Sequence, residues 1–385
     1  MRYLLLILVT MGTVAPMVMV GQTGGAPVQV GAAGVVRLPV IKAGSKKVSI
    51  RDGEFFDRDA WNLSPAARPD VYTADRTRKT KWVTFYTDLD SIRVKVRPGG
   101  RYDFVILLNG KDSCFTRVVS AIPPSAEGGG KTDTIPFTLT EYNAIATKAV
   151  IDGDDTVTLH FDVGSFSWHL TKDAMLRKPS RKKVKTLQMG TRIWESPSVG
   201  VTGFTAHDMD GRFGWDLFEG RQVEIDYDKN LLIIHPRLPR GLKGYIREKL
   251  LFQRSYVCVK ASFGAGEGCF MLDTGSDQAA IVDSGWAAAH RFTDGLRVVK
   301  TTVLKDPRGD RYETRTVEAP MFELGHTRLS NVPTLVLAGR NPTGFEVNFL
   351  GNDVLKRFNI ILDFRHDYIY LKPNRLMGTT YKVNS

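Results

Sequence analysis

The sequence predicts an all-β protein, with an N-terminal β domain followed by two pseudo-symmetric β lobes. Three observations predict it. Short runs of alternating apolar and polar residues recur along the chain, separated by Pro, Gly and Asn-Gly turn signals. A stretch rich in Pro, Ser, Ala and Gly, from Pro123 to Gly130, interrupts that pattern. Beyond it, residues 140–376 contain two copies of one β unit.

A chain of 385 residues exceeds the roughly 250–300 that one hydrophobic core serves, so two or three domains are expected. With 42% hydrophobic and 24% charged residues, the composition is that of a globular protein. Residues 1–22 open with Arg2, continue as an apolar run from Tyr3 to Val20 and end in small and polar residues, the pattern of a secretory signal peptide. A single membrane anchor is the competing reading, against which Gly12, Pro16 and two Thr in the run weigh. No later segment has membrane-spanning length. The expected mature chain is therefore a soluble monomer outside the cytoplasm, secreted or periplasmic.

The formal charge of +12 concentrates in Arg76–Lys81 and Arg177–Lys185. Solvated loops account for such runs more simply than attraction to acidic partners. Export and the lack of any recognisable module argue against nucleic acid. Three cysteines, Cys114, Cys258 and Cys269, are too few for a disulfide scaffold or a zinc site.

The N-terminal β domain is placed at residues 36–122, where Trp82–Thr87, Ile92–Val96 and Tyr102–Leu108 read as strands. Arg97–Arg101, with its Pro-Gly-Gly, and Asn109-Gly110 read as hairpin turns between them.

The two lobes are placed at 135–240 and 245–376. Residues 161–165 read FDVGS and residues 272–276 read LDTGS, each at the end of a strand-turn-strand pattern. Downstream, FGWDLFEG at 213–220 aligns with LGNDVLKR at 350–357, so that Gly214 matches Gly351, Asp216 matches Asp353 and, further on, Asp226 matches Asp363. The aspartate motifs are 111 residues apart (162 to 273) and the glycines 137 apart (214 to 351), so the second copy carries 26 more residues between its motifs. These are expected to lengthen a hairpin around Asp306–Arg311. Each copy should add one short helix after its glycine.

Asp162 and Asp273 each follow an apolar strand and precede a glycine, Gly164 or Gly275 after one intervening residue. Gly is expected there because it accepts backbone angles closed to other residues. Two such units related by a pseudo-twofold axis bring two carboxylates face to face. Like charges at that distance share one proton, leaving a general base and a general acid available at one pH. A water between them can then attack a peptide carbonyl.

The Asp-Thr-Gly-Ser at 273–276, the apolar pair and glycine Phe349-Leu350-Gly351 and the segment NDVLKRFNIILDF resemble the retropepsin and pepsin clan of aspartic peptidases. The resemblance covers about 140–376. It implies a bilobal acid-protease fold, an extended peptide or protein substrate in the cleft between lobes and a flap at Asp306–Arg311. It also implies supporting roles for Gly164, Ser165, Thr274, Gly275, Ser276, Gly214 and Gly351. Thr274 would send its hydroxyl into the other lobe's loop, and Ser276 would bond near the carboxylate. Val163 departs from the pattern, because it has no hydroxyl to complete the reciprocal half of that clasp. A peptidase-like fold that binds without cleaving is the alternative.

Other motifs carry less. None of the seven His residues has HExxH or paired-ligand spacing, so no metal or cofactor is implied. FGAGEG at 263–268 reads as a hairpin turn rather than a phosphate loop, since neither a helix nor Lys-Ser/Thr follows. Its flanks, Cys258 and Cys269, are candidates for a disulfide. Asp226 and Asp363 are read as turn-capping positions, and the absence of a GxSxG elbow disfavours a serine hydrolase.

Overall fold

A computed structural model describes residues 38–124, 130–177, 183–202, 205, 208–264, 266–305, 311–337 and 346–382. The expected signal peptide, residues 1–22, and the tip of the expected flap, 306–310, lie outside the described residues. The described chain up to residue 124 belongs to one compact unit, and that from residue 130 onward to another.

The first unit packs two four-stranded sheets face to face. One runs in the order Val40–Ala43, Arg101–Leu108, Asp112–Ser120, Asp70–Ala74; the other runs Phe55–Asn62, Lys47–Asp52, Lys81–Tyr86, Ser91–Val96. Every second residue of these strands points inward, and Ile50, Val83, Phe85 and Val94 of one sheet meet Phe104, Ile106 and Val118 of the other in a single core. Asn109 and Gly110 both have positive φ, 52° and 67°, and turn Leu108 back against Asp112, as the Asn-Gly pair predicts. The Pro-Gly-Gly segment behaves differently. Ser91–Val96 pairs with Lys81–Tyr86, not with Arg101–Leu108, so Pro98-Gly99-Gly100 carries the chain from one sheet to the other instead of closing a hairpin. Alternation identifies strands without identifying their partners.

The second unit contains both lobes, built on one topology. In the first lobe the aspartate strand Asp155–Phe161 lies parallel to the glycine strand Gly211–Phe213, which runs antiparallel to Trp168–Thr171, itself parallel to Val199–Thr202. In the second lobe Gly266–Asp273, Asn348–Gly351, Ala280–Val282 and Thr327–Val336 repeat those three relations in the same order. Each aspartate strand is the second arm of a hairpin, with Ile145–Ile151 and Tyr256–Phe263 as first arms. The fold is a bilobal, pseudo-symmetric, retropepsin-like β architecture.

The extra residues of the second copy lengthen its outer hairpin. Val298–Lys305 and Arg311–Leu324 have 8 and 14 residues, against 4 each for Thr186–Met189 and Arg192–Glu195 in the first lobe. A six-stranded sheet joins the lobes, with Gln222–Asp226 paired antiparallel to Phe358–Asp363 at its centre. One apolar core runs through both lobes, including Phe161, Phe213, Trp168, Phe270, Trp286 and Leu350.

Short helical turns follow both glycines, a 3-10 turn at Trp215–Phe218 and an α-helix at Asn352–Leu355. The sequence predicts one helix per lobe, and the structure has a second in each, Lys172–Leu176 and Ser284–Ala289. Their caps are local: Thr171 Oγ1 accepts the Ala174 N–H, and Asp283 accepts those of Gly285 and Trp286. Helices of five or six residues lack the periodicity that would reveal them in a sequence. Among the described residues no helix is long and apolar enough to cross a membrane.

Candidate active site

Asp162 and Asp273 stand at the ends of the two aspartate strands, where each chain bends away from its sheet. In the first lobe Asp162 Oδ1 accepts the Gly164 N–H at 2.8 Å, while the Asp162 carbonyl accepts the Ser165 N–H at 3.0 Å. In the second lobe Asp273 Oδ1 accepts the Gly275 N–H at 3.0 Å, and the Asp273 carbonyl accepts the Ser276 N–H at 3.4 Å. In these two bonds the loops are equivalent.

The two carboxyls also hydrogen-bond to each other. Asp162 is 3% exposed and Asp273 is partly open to solvent. Burial pushes both above the usual carboxylate range, and the Asp162 charge pushes Asp273 further, well above it. The Arg212 guanidinium and the Gly164 and Ser165 amides pull Asp162 back down. The pair thus holds a proton to higher pH than either carboxyl would in water. Arg212 favours the charge on Asp162 and the proton on Asp273.

Gly164 and Gly275 serve a different purpose from the one their sequence position suggests. Neither adopts a positive φ. Instead, each is where the lobes touch. A Cβ on Gly275 would sit 3.2 Å from Asp162 Cγ, and one on Gly164 would sit 3.5 Å from Asp273 Cβ and 3.3 Å from the Leu272 carbonyl. A side chain at either position would press on the aspartates, so that their atoms would have to give by a few tenths of an ångström.

Thr274 ties the lobes together. Its Oγ1 accepts the Val163 N–H at 3.0 Å and donates to the Phe161 carbonyl at 2.8 Å. The opposite position is Val163, 1% exposed and part of the apolar core, so the clasp is one-sided. Ser276 contributes through its backbone: its N–H bonds to Asp273, and its Oγ accepts the Gln278 N–H at 3.3 Å. The buried Ser165 supplies its N–H in the same way.

The downstream glycines brace these loops. A Cβ on Gly214 would lie 2.3 Å from the Ser165 carbonyl, and one on Gly351 would lie 2.0 Å from the Gln278 carbonyl. Only glycine allows the strands that close. The Gly351 N–H donates to the Ala279 carbonyl and the Asn352 N–H to the Ser276 carbonyl, fixing the second loop's course.

Cys258 and Cys269 are joined in a disulfide, with Cα atoms 5.9 Å apart, and Cys114 is a buried free thiol. The bridge is diagonal: Cys258 faces Met271 and Cys269 faces Lys260 in the hairpin that ends at Asp273. Phe263 pairs with Gly266, so FGAGEG encloses a hairpin turn. Asp363 accepts the Arg365 and His366 amides, and Asp226 accepts the Lys229 amide. Both aspartates cap turns away from the dyad.

Three residues near the dyad escaped the sequence motifs. His160 and Arg212 are in register on adjacent strands, both at most 8% exposed. The hydroxyl of Tyr256, from the second lobe, is pushed up by burial and then by the Asp162 charge. The signal was present in the aligned copies, where His160 stands against Met271 and Arg212 against Phe349.

No protein-family model matches the chain, and no curated protein matches its sequence. Among solved structures it is similar to the aspartic proteinase of Irpex lacteus, with 13% identity over 66% of this chain and 100% of that one and a TM-score of 0.43. The bilobal assignment rests on the strand topology and register described above.

Proposed function

We propose that the chain is an aspartic endopeptidase, hydrolysing peptide bonds with a water activated between Asp162 and Asp273. The observation that carries this reading is the shared hydrogen bond of two aspartates held by equivalent loops from two lobes. Ionised Asp162 takes a proton from the water, whose oxygen attacks the peptide carbonyl carbon. The protonated Asp273 donates to the carbonyl oxygen as it becomes tetrahedral. Collapse of that intermediate breaks the C–N bond, with a proton passing to the leaving nitrogen. The long hairpin of Val298–Lys305 and Arg311–Leu324 would cover the substrate, and the leader at 1–22 would direct the chain out of the cytoplasm.

The test is cleavage of a denatured protein between about pH 3 and 7, the range of a shared-proton pair, by wild type and by Asp162→Asn and Asp273→Asn. Wild-type cleavage abolished in both variants supports the reading. A wild type that cleaves nothing favours a binding module, and cleavage that survives in Asp273→Asn places the chemistry elsewhere.

A further inference from the structure

Beside the dyad the pseudo-symmetry of the lobes breaks in a way that changes charge. Residues in register on neighbouring strands share a face of their sheet, and residues two apart on one strand share it as well. The row in register with the residue two before Asp162 is His160, Arg212, His169 and Gly200. The corresponding row in the second lobe, starting two before Asp273, is Met271, Phe349, Ile281 and Leu335. The opposite faces are alike: Leu159, Phe161, Phe213 and Leu170 in one lobe, Phe270, Leu272, Leu350 and Ala280 in the other, all 0–1% exposed in the shared core. Beside one carboxylate, then, the sheet presents a basic row, and beside the other an apolar one.

The basic row is costly as it stands. Arg212 is 8% exposed, and its buried Nε has no hydrogen-bond partner among the described residues. A buried N–H left unpaired is destabilising, the more so when the group is charged. The His169 ring crosses Gly200 so closely that a Cβ there would lie 2.4 Å from it. Burial lowers the His169 pKa, and the charge of Arg212 lowers it further, so the guanidinium is the row's permanent cation. Its field also reaches Asp162 and the second-lobe residue Tyr256. A carboxylate brought by a ligand would pair with the guanidinium through a charge-assisted bond.

We propose that the His160–Arg212–His169 row forms a subsite for an acidic side chain of the substrate. The Met271–Phe349–Ile281 row on the other side of the dyad is apolar and packed within its own lobe, so it offers no counterpart charge. The peptide class that fits is one with Glu or Asp on the side of the dyad where Arg212 lies. This specificity rests on the peptidase reading for its catalytic consequence, but it is a statement about binding and can be tested without turnover.

The probes are matched peptides that differ only in Glu, Gln or Lys at the positions flanking an apolar residue, titrated calorimetrically into Asp273→Asn at about pH 5.5, where a peptide Glu is ionised. The Glu peptide should bind about tenfold more tightly than its Gln isostere, and the Lys peptide more weakly than either. Arg212→Met in the same background should reduce the Glu preference to within about twofold. Arg212→Lys, which keeps the charge in a smaller perturbation, should retain part of it. Equal affinity for Glu and Gln, or a preference unchanged by Arg212→Met, overturns the subsite. A wild type that cleaves peptides without regard to Glu overturns it too and leaves the peptidase reading standing. A chain that cleaves nothing yet binds Glu peptides through Arg212 supports the subsite and overturns the peptidase reading.

Discussion

Thr274 Oγ1 bonds to two backbone groups of the opposite loop, the Val163 N–H at 3.0 Å and the Phe161 carbonyl at 2.8 Å. Both groups flank Asp162. The hydroxyl is 1% exposed, so water cannot replace it, and the separation of the carboxylates depends on it.

Thr274→Val is therefore expected to leave a buried N–H and a buried carbonyl unpaired. The cost should be about 2–4 kcal/mol, from about 1–2 for each group. Urea unfolding would measure it, with a lower midpoint at an unchanged slope. Cleavage should fall by more than stability alone explains, because the carboxylates lose their register. Val163→Thr should act the other way, since a hydroxyl there can form the reciprocal half of the clasp. It should preserve or raise activity. A Thr274→Val variant as stable as wild type would mean the clasp does not hold the lobes.

The pH profile should report the position of Arg212. Its charge lowers the pKa of Asp162 against the larger raising effect of burial. The acidic limb of kcat/KM marks the ionisation of the first carboxyl of the pair, and the alkaline limb the loss of the shared proton. Removing the cation with Arg212→Met should move the acidic limb to higher pH, narrowing the active range. An unmoved limb would show that the guanidinium does not govern the dyad. A pH profile measured on a neutral peptide keeps this effect separate from substrate recognition.

How much of this was legible in the sequence depended on the kind of signal. Asp162, Asp273, Gly214 and Gly351 could be read because the chain carries two copies, and alignment without gaps within each motif segment places equivalent residues together. The Cys258–Cys269 bridge followed from two cysteines flanking one turn. Three things could not be read. The partner of Ser91–Val96 depends on contacts between sheets, which alternation within a strand does not encode. The reason for Gly164 and Gly275 is the opposite lobe's aspartate, more than a hundred residues away in the chain, rather than a local dihedral angle. The row of His160, Arg212 and His169 is assembled from three strands, so no stretch of sequence displays it.

Gly351 offers a test of the braced loops. A Cβ at this position would lie 2.0 Å from the Gln278 carbonyl, a backbone atom that cannot swing aside. Gly351→Ala is expected to shift the Asp273 loop or to destabilise the fold by about 3 kcal/mol or more, the range of overpacking and strain combined. Gly220→Ala makes the comparison, because a Cβ there would meet nothing within 4 Å, although its φ of 76° carries its own strain. Thermal unfolding of the two variants should separate the steric cost from the dihedral one. Equal losses would mean that the loop yields freely.

Asp216 should make stability depend on pH in the acid range. Burial raises its pKa to about 6, against the opposing effect of the Ser167 N–H that its Oδ1 accepts at 2.7 Å. The ordinary value is 3.8, so the folded chain holds this proton where the unfolded chain releases it. Below about pH 4 both states are protonated and the contribution is fully present. As pH rises toward 6 the unfolded state ionises first, and the contribution is lost, reaching on the order of 2–3 kcal/mol less stability by neutral pH. Asp216→Asn keeps an oxygen for the Ser167 amide and cannot ionise, so it should remove this slope. The variant should be more stable than wild type above about pH 6 and similar to it near pH 4. Denaturant midpoints measured at several pH values would decide, and parallel curves for the two proteins would mean that Asp216 is ionised in the fold.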